Sequence, residues 1–165
     1  LNYNFESLNI TRSLLEQLGI PEITDMSIEN QNLEYEGATF EAGKQTFRSR
    51  LAKLTPKKKG YFVVFWEKDI HNKNQAYSYK NCPDKVIVSV IDQKRKGQFI
   101  FPKEILLKQE VLSNADKKGK MAIRVYPDWE IELNPAAKRT QRWQQKYFID
   151  LTASVDVKVL TELYL

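Results

Sequence analysis

The run Val86-Ile87-Val88-Ser89-Val90-Ile91, then Gln93-Lys94-Arg95-Lys96-Gly97, then Gln98-Phe99-Ile100-Phe101 decides the fold. β-Branched and aromatic side chains fill the two outer stretches, which suits packed, pleated strands. The first stretch is almost wholly apolar and reads as a buried strand. The polar, basic stretch between them is a turn, and Pro102 ends the returning strand.

Upstream, Tyr61-Phe62-Val63-Val64-Phe65-Trp66 is apolar on both faces and reads as a central strand. Thr55–Gly60 is the loop before it, and Glu67–Asn74 is a hairpin-like loop after it. Ala38–Glu41 is short and extended, Ala42–Gln45 turns, and Thr46–Leu54 pairs back. In that returning strand Arg48 and Arg50 stand on one face, about 7 Å apart, similar to neighbouring phosphates along a nucleic-acid strand. A helix from about Glu6 to Leu18 carries Leu8, Leu14, Leu15 and Leu18 at helical spacing. Gly19 and Pro21 stop it.

Downstream, Lys103–Lys108 reads as a short helix with Pro102 near its first position. Met121–Tyr126 is a fourth core strand. Asn134-Pro135 is an N-cap and first-turn pair, opening a helix expected to reach Phe148 or Asp150 on a stripe of Ala136, Thr140, Trp143, Tyr147 and Leu151. Val155–Leu163 reads as a final helix capped by Ser154. Helix, strands, short helix, strand, long helix is an α+β order. It implies a mostly antiparallel sheet or pseudobarrel with flanking N- and C-terminal helices. The 165 residues suit one domain. It divides into an acidic N-terminal helix and arm (1–30), a body (31–150) and a C-terminal extension (151–165).

Charge is separated along the chain. Net charge is +5, yet residues 1–41 hold one basic and eight acidic residues, a charge of −7, leaving +12 for the rest. Ala42–Gly60 contains Lys44, Arg48, Arg50, Lys53, Lys57, Lys58 and Lys59 and no acid. Lys94–Lys96 leads towards Lys103, Lys117, Lys118 and Lys120. Lys138, Arg139, Arg142 and Lys146 share the C-terminal helix. Brought onto one face, such clusters make a phosphate-binding surface. No apolar run reaches the roughly 18 residues of a membrane helix, and Leu1–Asn9 is polar-interrupted and lacks the basic start of a leader.

Site chemistry is sparse. A single cysteine, Cys82, allows no internal disulfide and fits a reducing compartment. A single histidine, His71, lies in a polar turn and reads as a solvated loop residue. Neither phosphate-loop pattern occurs. Asp84 and then Asp92-Gln93-Lys94 match the letters of a Mg²⁺ nuclease, an acid followed by an acid-x-lysine pair. Their placement at strand ends and in a turn is poor for it. Glu36 and Glu41 form another acidic pair, read here as partners of Arg48 and Arg50. Most aromatics sit on apolar strands or stripes, but Trp129 follows Pro127-Asp128 at a strand end and reads as partly exposed.

Tyr35-Glu36-Gly37, the run Arg48–Phe62, Gly97–Lys103, Gly119–Trp129 and Thr140–Gln144 together resemble the MepB family over roughly residues 30–150. The resemblance implies a bacterial, cytoplasmic protein, similar in shape to parts of restriction endonucleases. It assigns no catalytic residue.

The leading reading is a non-catalytic DNA- or RNA-binding domain without cofactor. Arg48 and Arg50 grip phosphates, and Lys53, Lys57, Lys58 and Lys59 extend the patch. Lys118, Lys120 and Arg124 add a second wall, Arg139 and Arg142 close it, and Trp129 offers a ring. The alternative is a Mg²⁺-dependent nuclease using some of Glu36, Glu41, Asp84 and Asp92. A third reading is a module for an acidic protein partner, with residues 1–30 as an internal competitor.

Overall fold

A computed structural model describes residues 4–165; residues 1–3, the head of the Leu1–Asn9 stretch, lie outside the described residues. The N-terminal half contains helix α1 (Glu6–Gln17) and strands β1 (Ile23–Ile28), β2 (Ala38–Ala42), β3 (Gln45–Leu51), β4 (Lys53–Leu54), β5 (Tyr61–Val64), β6 (Trp66–Lys68) and β7 (Asn74–Ala76). The C-terminal half contains β8 (Lys85–Asp92), β9 (Arg95–Pro102), α2 (Lys103–Lys108), β10 (Ala122–Val125), α3 (Pro135–Gln144), β11 (Phe148–Asp150) and α4 (Val157–Tyr164). The class is α+β. A six-stranded sheet runs β1-β2-β3-β8-β9-β11, with β3 and β8 parallel and every other neighbour antiparallel. A small sheet, β10-β5-β4, and the β6–β7 hairpin lie outside it. None of the described helices is long and apolar enough to cross a membrane.

The hairpin of β8 and β9 is the middle of the large sheet, and both of its faces are covered. Val86, Val88, Val90, Phe99 and Phe101 enter one core with Tyr61, Val63 and Val125 of the small sheet and with Phe65 just after β5. Ile87 and Ile100, on the other face, join Leu8 and Leu15 of α1 and Leu160 of α4. Strand alternation produces this split, since successive side chains point to opposite faces. A buried polar knot ties the helices to the second face. Gln98 Nε2 donates to Thr11 Oγ1 and to Ser89 Oγ, each at 3.0 Å, and the Tyr164 hydroxyl donates to Gln98 Oε1.

The structure moves several expected boundaries. Tyr61–Val64 is central only to the small sheet, and Phe62 and Val64 keep partial exposure. The turn between β8 and β9 shrinks to Gln93-Lys94, with Gln93 at φ 58°. The long helix stops at Gln144, and Phe148–Asp150 form an edge strand on β9. The reason is that Phe148 packs 4.7 Å from Phe99 on one face while Ile149 is buried in the opposite core. Adjacent residues can serve opposite faces only in a strand. The last helix starts later than expected and is capped by Asp156, not Ser154.

α3 is fastened to β10 by Gln144, which is fully buried. Its Oε1 accepts from Tyr126 N–H and its Nε2 donates to the Arg124 carbonyl, both at 2.9 Å. The amide thus pairs with the backbone of β10 and its end on the side away from β5.

Arg48 and Arg50 do not face solvent. The small-sheet layer covers their side of β3, and Arg50 Nε donates to the Val64 carbonyl of β5 at 3.0 Å. Arg50 is 0% exposed and Arg48 8%. Both guanidiniums meet Glu29, Arg50 at 2.7 Å and Arg48 at 3.1 Å. Tyr77 completes the cluster: its hydroxyl donates to Glu29 at 2.6 Å and accepts from Arg50 at 2.9 Å, and its ring lies 3.5 Å beneath Arg48. Asn32 Oδ1 accepts from Arg50 at 2.6 Å. Gly37 makes room, since a Cβ there would stand 3.0 Å from Arg50 Nη1. Residues 4–30 are part of the fold. They supply α1, β1 and the counter-charge, and deleting them would strand two buried cations.

Two predictions follow from these contacts. Gln144→Leu should cost about 1–3 kcal/mol in urea denaturation, because two backbone groups lose their partner; a loss below 0.5 kcal/mol on that scale would refute the clasp. Burial alone would raise the Glu29 pKa, but Arg50 and Arg48 outweigh it and hold the carboxyl below the usual glutamate range. A carboxyl depressed in the folded state stabilises above its unfolded pKa, and that stability is lost as pH falls through the folded value. Glu29→Gln should cost about 3–5 kcal/mol at pH 7 and should flatten the fall in stability between neutral and acid pH. An unchanged acid limb in the variant would show that Glu29 does not carry it.

Candidate nucleic-acid interface

The loop Thr55–Gly60 is held by side chains outside it. Arg124 projects from β10 opposite Phe62 of β5. Its Nη2 donates to Thr55 Oγ1 at 2.7 Å and its Nη1 to the Lys59 carbonyl at 3.1 Å. Lys59 Nζ donates to the carbonyls of Ile131 (2.7 Å) and Glu132 (3.2 Å), joining the loop to the segment before α3. Gly60 sits at φ 80°, and a Cβ there would come 2.6 Å from the Tyr126 ring. Both conditions call for glycine. Fixed at Thr55, Lys59 and Gly60, the loop presents Lys57 and Lys58 exposed at its apex.

Between this loop and the start of α3 runs a groove of about 490 Å³, lined by Lys57, Lys58, Lys59, Arg124, Tyr126, Glu132 and the α3 residues Asn134, Ala136, Ala137 and Thr140. It shares Arg124, Tyr126 and Thr140 with a second recess of about 330 Å³, which reaches Lys120 and Trp143. The wall at its centre is a helix N-terminus. Asn134 Oδ1 accepts from Ala137 N–H at 2.8 Å, and Pro135 occupies the first turn. Such an end carries partial positive charge and suits an anion. The lysines of the Thr55–Gly60 loop, the positive end of α3 and one acid, Glu132, thus border the same groove.

The other expected contacts fall elsewhere. Arg139 neighbours the groove-facing stripe of α3 by helical rotation, whereas Arg142 turns away from it; both are exposed. Lys53 lies over the Tyr35 ring at 4.9 Å. Lys118 lines a separate recess with Asn74 and Gln75. Trp129 is half-buried: its Nε1 donates to the Tyr61 hydroxyl at 3.1 Å, its edge meets Phe148, and Arg95 sits 5.7 Å from its ring. It is packed against protein on these sides. Arg48 and Arg50, interior and paired to Glu29, are not on this surface.

The acids do not gather either. Glu36 and Glu41 do not pair with Arg48 and Arg50. Glu36 instead accepts from Ser7 N–H at 2.9 Å and Ser7 Oγ at 2.6 Å, closing the N-terminus of α1. Glu41 is exposed beside Asp25, whose hydrogen bond and like charge push its carboxyl up. Asp84 accepts from Thr46 N–H at 2.9 Å, and Asp92 from the Tyr61 hydroxyl at 2.7 Å. These two flank β8 at opposite ends. Among the described residues no group of three or more His, Cys, Asp and Glu could hold a metal ion. His71 is exposed in the turn between β6 and β7. Cys82 is buried, and burial pushes its thiol up to about 11.

Sequence reading missed Glu29 and Tyr77 as the partners of the arginines, and Tyr126 and Glu132 as groove residues. The opening of α3 was visible in Asn134-Pro135, but nothing local showed that it would face the lysine loop.

A family model described as MepB-like matches residues 29–150. The crystal structure of MepB is similar over 91% of this chain and 99% of its own, with 41% identity and a TM-score of 0.81. A bacterial homing endonuclease aligns over 87% of this chain and 93% of its own, with 11% identity and a TM-score of 0.45. Among curated proteins nothing matches. The matched span holds β2 to β11, the Glu29 cluster and the whole groove, and the chain belongs to the MepB-like family.

Proposed function

We propose that this protein binds nucleic acid, DNA or RNA, without cleaving it, and that the groove between the Thr55–Gly60 loop and α3 holds the phosphate backbone. One observation carries the reading: Lys57 and Lys58 line a groove with the N-terminus of α3, and Lys120, far from them in sequence, lines a neighbouring recess that shares Arg124, Tyr126 and Thr140 with it. Lys57 and Lys58 contact phosphates from the loop, Lys120 extends the contact along the recess, and Arg139 adds charge from the rim. Arg124 and Lys59 hold the loop and line the wall. No side chain here is a base-reading fork on a groove-inserted helix, so the contacts position a strand without selecting its sequence. Lys53, Lys118, Trp129 and Arg142 stand outside the groove and take no part.

About four phosphate contacts give a log–log salt slope near −3.6 on duplex DNA. Affinity for oligonucleotides, measured by fluorescence anisotropy at several salt concentrations between 50 and 200 mM, should follow that slope. Lys57→Ala with Lys58→Ala should reduce it by about 2 and weaken unrelated sequences equally. Salt-independent affinity would remove the proposal. Incubation with Mg²⁺ or Mn²⁺ should leave the oligonucleotide intact, and cleavage would replace the binding reading with an enzymatic one.

A further inference from the structure

A second charged site lies beside the Glu29 cluster and shares no lining residue with the groove. The buried cluster contains two guanidiniums and one carboxylate. Tyr77 is neutral near pH 7, since burial first of all pushes its phenol up to about 12. One positive charge is thus unmatched in the interior, and uncompensated buried charge is costly. Arg48 carries it towards the surface. It meets Glu29 through Nε alone, its ring partner Tyr77 fixes its plane, and its buried Nη1 has no hydrogen-bond partner among the described residues. Arg48 also forms the floor of a cleft of about 440 Å³, between β2–β3 and the segment 80–83.

Other residues with donor groups line the cleft. Lys80 brings an ammonium, Asn81 an amide and Thr39 a hydroxyl, beside Arg48. Thr46 lines it too, but its hydroxyl is engaged with Asp84. A planar carboxylate has two oxygens, whereas a tetrahedral phosphate can accept from an arginine and from donors on other sides at once. Asp25 and Glu41 line the cleft as well and oppose an anion. They keep the affinity modest.

We infer that this cleft is a phosphate-binding site in which Arg48, aided by Lys80, receives one phosphate group. The group comes either from free phosphate or from the terminal phosphate of a nucleic-acid strand.

The test is a titration of the whole protein with inorganic phosphate at constant ionic strength, read by amide chemical shifts. Saturable shifts are expected at Thr46, Arg48, Asn81 and Cys82. Lys80→Ala, an exposed substitution, should weaken binding about five-fold, and Glu41→Gln should tighten it about three-fold. Arg48→Lys should abolish saturation, and because that variant risks the fold, the two surface variants decide. Shifts that stay linear to about 50 mM, or that both surface variants leave unaltered, would overturn the site. So would displacement of phosphate by equimolar acetate. Lys57→Ala with Lys58→Ala should leave phosphate binding unchanged, which separates this site from the groove. In that background, preference for a 5′-phosphorylated over a 5′-hydroxyl oligonucleotide supports the strand-end source. Equal weak binding of the two, with inorganic phosphate still bound, supports the free anion.

Discussion

Glu29 holds two guanidiniums that β3 buries between two layers of structure, and the arrangement of those layers depends on it. Arg50 reaches β5, Glu29 precedes the turn into β2, Asn32 lies in that turn, and Tyr77 follows β7. Four segments are therefore joined by charge-assisted bonds in a largely buried place, where such bonds are strong. The cluster also fixes register. A slip of β3 by one residue would drive Arg48 and Arg50 into the apolar core beside α1 and α4, where no carboxylate is placed to meet them. Apolar packing supplies the drive to bury β3, and the ion cluster selects the one register in which burial is tolerable.

The same logic recurs wherever this fold buries a polar group. Gln98 receives the Tyr164 hydroxyl and donates to Thr11 and Ser89, so α1 and α4 can seat on the sheet in one way only. Gln144 pairs with the outer edge of β10 and sets the distance of α3 from the small sheet. That distance defines the width of the groove. The fold thus controls the candidate interface through an interior amide, not through the surface lysines themselves.

Much of the architecture was legible in the sequence because it rests on local rules. The β8–β9 hairpin, the α1 stop at Gly19, the Asn134-Pro135 start of α3 and the α+β order all follow from periodicity and caps. What escaped depends on layering. Arg48 and Arg50 alternate with Phe47, Ser49 and Leu51 as an exposed basic face would, and no local feature of β3 reveals that β5 will cover them. Glu29 lies about 20 residues upstream in a stretch that reads as part of an acidic arm, so its partnership needs the tertiary fold. Phe148–Asp150 looked helical because the preceding stripe is helical; the competing demand, one apolar side chain on each face of a sheet, appears only once β9 offers a free edge. In the groove, Lys57, Lys58, Lys59, Lys120 and Arg124 were legible as cations, but their division of labour was not.

That division follows from what each cation already holds. Arg124 and Lys59 spend their donors on Thr55 and on the carbonyls of residues 59, 131 and 132, so the loop is rigid before any ligand arrives. Lys57 and Lys58 make none of these bonds and keep their donors for solvent or a ligand. A flexible lysine tract would have to be ordered on binding, at an entropic cost for each long side chain and each loop residue. Here the backbone part of that cost is met in the folded state, and only the side chains of Lys57 and Lys58 remain to be ordered. A loop built this way favours a regularly spaced polyanion over a compact one, because its two free charges are held apart by a fixed backbone. The Arg48 cleft has the contrary design, a single guanidinium immobilised on Tyr77 and Glu29, and so suits one compact anion. Two candidate anion sites of opposite character can therefore be read on one small domain, the first from what a loop leaves free and the second from what the interior leaves unmatched.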